Sequence, residues 1–132
     1  MTQQLVVGDR WITVPGVIAV PVNSDSPAYR IKWNLDGQIV AVGGCVLGII
    51  PPDTLSAGLS SIAIRCVING ERELFSDGEN GAFMPFATLF SELQRTQSFN
   101  YRVKAQDVWN VYFRNYNTAN AYRPHFAFSV KQ

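Results

Sequence analysis

Polar and apolar residues alternate along much of this chain. In "YRIKWNL", Ile31, Trp33 and Leu35 fall on one side and Arg30, Lys32 and Asn34 on the other. This is the period of two that a half-buried strand requires. "SIAIRCVING" repeats it, with Ile62, Ile64, Cys66 and Ile68 opposite Ala63, Arg65 and Val67. Further on, Trp109, Val111 and Phe113 share one face, and Val108, Asn110, Tyr112 and Arg114 the other. Phe126, Phe128 and Val130 likewise oppose His125, Ala127, Ser129 and Lys131. The apolar sets are aromatic or β-branched, as strands favour. "YRVKA", from Tyr101 to Ala105, reads as one more short strand. The predicted core is therefore Trp33, Ile62, Ile64, Trp109, Val111, Phe113, Phe126 and Phe128.

Turn signals separate these runs. Asp36-Gly37 predicts a hairpin between "YRIKWNL" and "QIVAVGGCVLGII", and Asn69-Gly70 a second one with "ERELF" as the return strand. Pro15-Gly16, "NSDSP", "PPD" and "SDGENG" read as turns and loops. Only "PFATLFSELQRT" has helical spacing, with Phe86, Leu89, Phe90 and Leu93 at i, i+3, i+4 and i+7 and Pro85 where a first-turn proline belongs. At most one short helix near residues 85–94 is expected. Seven or eight strands with turns between them predict an all-β, antiparallel β-sandwich, with the jelly roll as its expected form. The alternation argues against an all-parallel, doubly buried sheet.

Composition narrows the classes. The chain has 132 residues, the size of a single domain over 1–132. Apolar residues make up 47% and charged residues 16%, well under the typical ~25% charged, so much of the surface is expected to be buried or covered by partners. The net charge of +1 does not mark a global binder of nucleic acid or membrane. The start, "MTQQLVVGDRWI", lacks the basic and long apolar regions of a signal peptide. The apolar stretch Ile39 to Ile50, broken by three glycines, is too short to span a bilayer. Synthesis in a reducing cytoplasm is the expectation, and Cys45 and Cys66, each inside an apolar run, are predicted to be buried free thiols.

Candidate chemistry is sparse. His125 is the only histidine, and on the polar side of its strand it suits a surface or interface better than a catalytic base. There is no G-x-S-x-G, P-loop or G-x-G-x-x-G pattern. "SDGENG" (76–81) offers oxygen ligands of the kind calcium takes, but not at EF-hand spacing, and a surface loop is the plainer reading. No catalytic residue, metal site or cofactor is assigned. From Arg95 onward six basic residues face one acid, Asp107. Interleaved with tyrosines, they fit a single-stranded nucleic-acid face or, better at this low net charge, the Tyr- and Arg-rich part of a protein interface. The candidate interface set is Tyr101, Tyr112, Arg114, Tyr116, Tyr122 and Arg123.

The closing third has a recognisable order: "FMPFATLF", a short strand, "DVWNVYFRN", the polar turn "NYNTANAYRP" and a last aromatic strand. Over Phe83 to Gln132 this resembles the closing part of single jelly-roll virion proteins, such as the capsid decoration and cement proteins of bacteriophages. The resemblance lies in residue types and transfers no functional residue. It implies a non-enzymatic structural protein, made in the host cytoplasm and located in the virion. Its partners would be copies of itself, commonly as trimers, and other virion proteins such as the major capsid protein. Two alternatives remain: a carbohydrate-binding β-sandwich module of a phage tail or fibre, and a small enzyme using His125 with a nearby acid.

Overall fold

A computed structural model describes residues 9–48, 54–55, 58–75, 83–91 and 93–131. In chain order the strands are β1 (Asp9–Thr13), β2 (Ser24–Asp25), β3 (Tyr29–Lys32), β4 (Gly37–Gly48), β5 (Thr54–Leu55) and β6 (Ile62–Ile68), then β7 (Arg72–Glu73), β8 (Met84–Pro85), β9 (Thr96–Val103), β10 (Val108–Asn115) and β11 (Tyr122–Lys131). One turn of α-helix, α1 (Phe86–Leu89), and a 3₁₀ turn at Gly58–Ser60 complete the elements.

These strands form two antiparallel sheets packed as a sandwich. The five-stranded sheet runs β1-β11-β4-β5, with β9 also on β4. The six-stranded sheet runs β2-β10-β6-β7, with β3 also on β10 and β8 on β6. Side-chain alternation sends one face of each sheet inward. On β10, Trp109, Val111 and Phe113 are fully buried while Val108, Asn110, Tyr112 and Arg114 are only half-buried. Every residue of the predicted core is buried.

Aromatic rings fill the space between the sheets. At one end Trp33 meets Trp109 edge to face (5.2 Å between centroids), and Trp109 meets Phe128 in the same way (5.4 Å). Towards the other end Phe86 touches Phe90, Phe113 and Phe126. Such contacts add to the hydrophobic gain of burial itself.

The Asn69-Gly70 hairpin forms as predicted. Asn69 and Gly70 both take positive φ (52° and 71°), Glu71 N–H donates to Ile68 O, and Arg72 pairs with Ile68. The Asp36-Gly37 hairpin does not form. β3 pairs with β10, whereas β4 pairs with β11, β9 and β5, so the segment between β3 and β4 crosses from one sheet to the other. Gly37 is needed for close approach, because a Cβ there would lie 3.0 Å from Val130 Cγ1 and 3.1 Å from Lys131 O.

The helix is shorter than its pattern. It follows Pro85 and stops at Phe90, whose backbone is already extended (φ −133°, ψ 159°). Phe86 and Phe90 are buried, but Leu93 lies past the helix and is fully exposed. The two cysteines are free. Cys66 is buried as expected, but Cys45 is only half-buried. It lies on the outer side of β4, between the inward-facing Gly44 and Val46, so it is not a core residue.

Candidate interface on the six-stranded sheet

The outer face of β10 carries Tyr112 and Arg114 two residues apart. Register places Arg65 of β6 opposite Tyr112 and Asp25 of β2 opposite Arg114. The Arg114 guanidinium donates two hydrogen bonds to the Asp25 carboxylate, Nε to Oδ1 at 2.6 Å and an outer nitrogen to Oδ2 at 2.9 Å. Its central carbon also lies 4.1 Å from the Phe83 ring centroid and 5.8 Å from that of Tyr116. Beside this group, Arg65 makes a bidentate pair with Glu73 (3.0 and 2.8 Å) and lies over the Tyr112 ring at 5.7 Å. Guanidinium planes suit both bonds, since they match a carboxylate fork and stack on aromatic faces.

Charge follows from this geometry. The Asp25 hydrogen bonds, and then Tyr116, hold Arg114 protonated above its usual range. Arg114 in turn keeps the Asp25 carboxyl below the ordinary carboxylate value. The hydrogen bonds to Glu73 raise Arg65 in the same way. The Arg114–Asp25 pair is open to water, with side-chain exposures of 36% and 49%, so it contributes little to folding, whereas Arg65–Glu73 is more covered, at 29% and 11%. Their effect is to favour one arrangement of the two arginines beside Tyr112 and Tyr116 on the surface.

The six residues predicted as an interface are not all together. Tyr112, Arg114 and Tyr116 form one group, with Tyr116 half exposed. Tyr101 and Tyr122 face the core instead. Tyr101 pairs with buried Ile39 and packs edge-on against Trp109 at 5.7 Å, while a Cβ at Gly58 would touch the Tyr122 ring at 3.1 Å. Their parity was a usable signal, since Tyr101 alternates in step with Val103, and Tyr122 with Phe126 and Phe128. Arg123, one residue out of step with Tyr122, belongs to the outer face of the other sheet. Asp25, Arg65, Glu73 and Phe83 were missed, because only cross-strand register brings them to the group.

Asn115 and Asn117 of the "NYNTAN" turn are spent internally. Asn115 is fully buried, and its side-chain amide donates to Val20 O and Asn120 O while accepting from Asn117 N–H. The Asn117 side chain accepts from Ala119 and Asn120 N–H and donates to Ser61. His125 is exposed on the outer face of β11, with Cys45 as its cross-strand neighbour. No cluster of three His, Cys, Asp or Glu residues suited to a metal ion occurs among the described residues. The 76–81 loop lies outside them.

Compared with known proteins, the chain matches no family model, no curated protein and no solved structure.

Proposed function

We propose that this chain is a non-enzymatic structural protein of a virion, a capsid decoration or cement protein with a jelly-roll fold that acts as a homo-oligomer. The fold part rests on strand order. With β2/β3 and β7/β8 each taken as one broken strand and the two-residue β5 set aside, one sheet reads first–eighth–third–sixth and the other second–seventh–fourth–fifth. Two interlocked Greek keys generate that order. The virion assignment adds fold-level analogy and the residue-type resemblance of the closing third.

One observation carries the functional reading: the ordered Arg114–Asp25 and Arg65–Glu73 group with Phe83, Tyr112 and Tyr116 on one outer sheet face. Tyr and Arg dominate binding energy at protein interfaces. Side chains already fixed before contact lose less entropy when a partner arrives. The partner is a second copy of this chain or a neighbouring virion subunit such as the major capsid protein. Mass measurement in solution, alone and with capsid shells, tests this. Tyr112→Ala combined with Arg114→Ala should abolish the oligomer or the shell binding while the protein stays folded. A protein that stays monomeric at high concentration and binds no shell overturns the proposal.

A second reading has its own observation. Trp11 is 40% exposed on the outer face of the five-stranded sheet, and its ring edge reaches over Gly43, where a Cβ would lie 3.3 Å away. Beside it a shallow hollow of about 220 Å³ is lined by Thr13, Cys45, Arg95 and His125 among others. An exposed indole beside a mostly apolar hollow, with Arg95 and His125 in its lining, suits the apolar face of a sugar ring. Glycan-array binding that Trp11→Ala removes would favour this carbohydrate-binding reading.

A further inference from the structure

One end of the sandwich holds a basic cluster that neither reading uses. Lys131 of β11 stands opposite Gln38 of β4, and Gln38 opposite Arg102 of β9. At normal strand spacing the two cationic residues are about 10 Å apart at their backbones, with Gln38 between them. Lys104 follows two residues after Arg102. Together these residues line an open hollow of about 750 Å³. Arg102, Lys104 and Lys131 form no ion pair among the described residues, where the two ion pairs are Arg65–Glu73 and Arg114–Asp25.

Two nearby acids, Asp36 and Asp107, are held by hydrogen bonds. Asp36, which also lines the hollow, accepts the Ala105 N–H at 2.8 Å. Asp107 accepts the Lys104 N–H at 3.1 Å and the Asn69 amide at 3.0 Å. Gln106, at φ 78°, donates its N–H to Trp33 O. The 104–107 turn is therefore tied down on several sides, and Lys104 projects from a fixed backbone. Asp9 is the register partner of Lys131 on the far side from Gln38.

Like charges held close on a fixed frame repel, and Coulomb repulsion at the surface is offset when an anion enters. We propose that this hollow binds a compact multivalent oxyanion, a ligand carrying two or more phosphate, sulfate or carboxylate groups. Arg102 supplies the planar fork for one group and Lys104 and Lys131 the point charges for others. A nucleic-acid strand fits less well, because among the described residues no aromatic side chain lines the hollow on which a base would stack.

The test uses the whole protein and four probes at low salt: tripolyphosphate, citrate, a sulfated disaccharide and a thymidine oligonucleotide. Binding is read by calorimetry and by amide shifts at Gln38, Arg102, Lys104 and Lys131. The three small anions separate phosphate, carboxylate and sulfate as the preferred group. At least one of them should saturate at one per chain and weaken as salt rises. Arg102→Gln with Lys131→Gln should lower its affinity at least about tenfold. Arg95→Gln with Arg123→Gln, the same charge change towards the other end of the same sheet, should leave affinity within about twofold, since at seven or eight residues along the strands, roughly 20 Å or more, their pull on a bound anion is weak in water and is screened further by salt. Asp36→Asn keeps an acceptor for Ala105 and removes the carboxylate, so it should tighten binding, and this arm stands even if the double variant does not fold. Equal losses in the two double variants, absence of saturation, or binding of the oligonucleotide alone overturns the proposal.

Discussion

Trp109 of β10 and Phe128 of β11 meet edge to face across the gap between the sheets, at 5.4 Å between centroids and 85° between planes. Each is fully buried, and each strand has its own hydrogen-bonded neighbours in a different sheet. The pair therefore joins the two layers. Trp33 and Tyr101 also pack edge-on against the same indole.

Trp109→Ala should cost about 3–5 kcal/mol, because it removes a large ring from a site where three other rings touch it. Val108→Ala, one residue away on the half-buried outer side, should cost under about 1.5 kcal/mol. Urea denaturation of both variants measures the difference. Similar losses would mean that the indole is not the contact joining the sheets.

Asn115 is a second point of dependence, through hydrogen bonds instead of area. Asn115→Ala should cost about 1–3 kcal/mol, since the Val20 and Asn120 carbonyls and the Asn117 N–H lose a partner at or near the core. Asn115→Asp should be worse at neutral pH. It keeps the acceptor for Asn117 but replaces two donated bonds with a buried charge facing carbonyl oxygens. Thermal melts of both variants beside the parent measure the losses, and an Asn115→Asp variant as stable as the parent would contradict this wiring.

Alternation made the core legible from sequence. Trp109, Val111 and Phe113 had only one sensible side to face, and the structure places them there. The Asp36-Gly37 segment was not legible, because a turn between strands of one sheet and a crossing between two sheets begin with the same residues. What separates them is the pairing of Trp33 with the 106–107 turn, a contact distant in sequence. Tyr101 and Tyr122 were misplaced for a different reason. Tyrosine carries an apolar ring and a polar tip, so its type does not decide its face, and parity with Val103 and Phe126 does. The Arg114 group was half visible: β10 displays Tyr112 and Arg114 by itself, but Asp25 lies 89 residues away in sequence.

The thiols should react unequally. Burial pushes the Cys66 thiol well above its usual pKa. Burial also raises Cys45, against a smaller opposing pull from Arg95. Since the thiolate is the reactive form, native protein at pH 8 should release a thiol signal with Ellman's reagent slowly, from Cys45 alone. Cys66 should appear only on unfolding, bringing the total to two. Rapid labelling of both in the native state would place Cys66 outside the core.

Asp25 gives the ion pair on the candidate interface a definite pH signature. Arg114 lowers the Asp25 pKa below the ordinary 3.8, so the folded state binds its proton less readily than the unfolded chain does. A group shifted this way adds stability that is fully present above its unfolded value and is lost as pH falls through the folded value. Both side chains are substantially exposed, which holds the contribution under about 1 kcal/mol. The stability gap between the parent protein and Asp25→Asn should therefore be constant from pH 7 to about pH 5 and shrink once pH drops below about 4. It should also narrow in high salt, where exposed pairs are screened. Denaturation curves at pH 7, 5 and 3, each at two salt concentrations, measure both effects. If the gap widens towards acid, or ignores salt, Asp25 stabilises the protein by packing, and the charge pairing assigned to the interface is wrong.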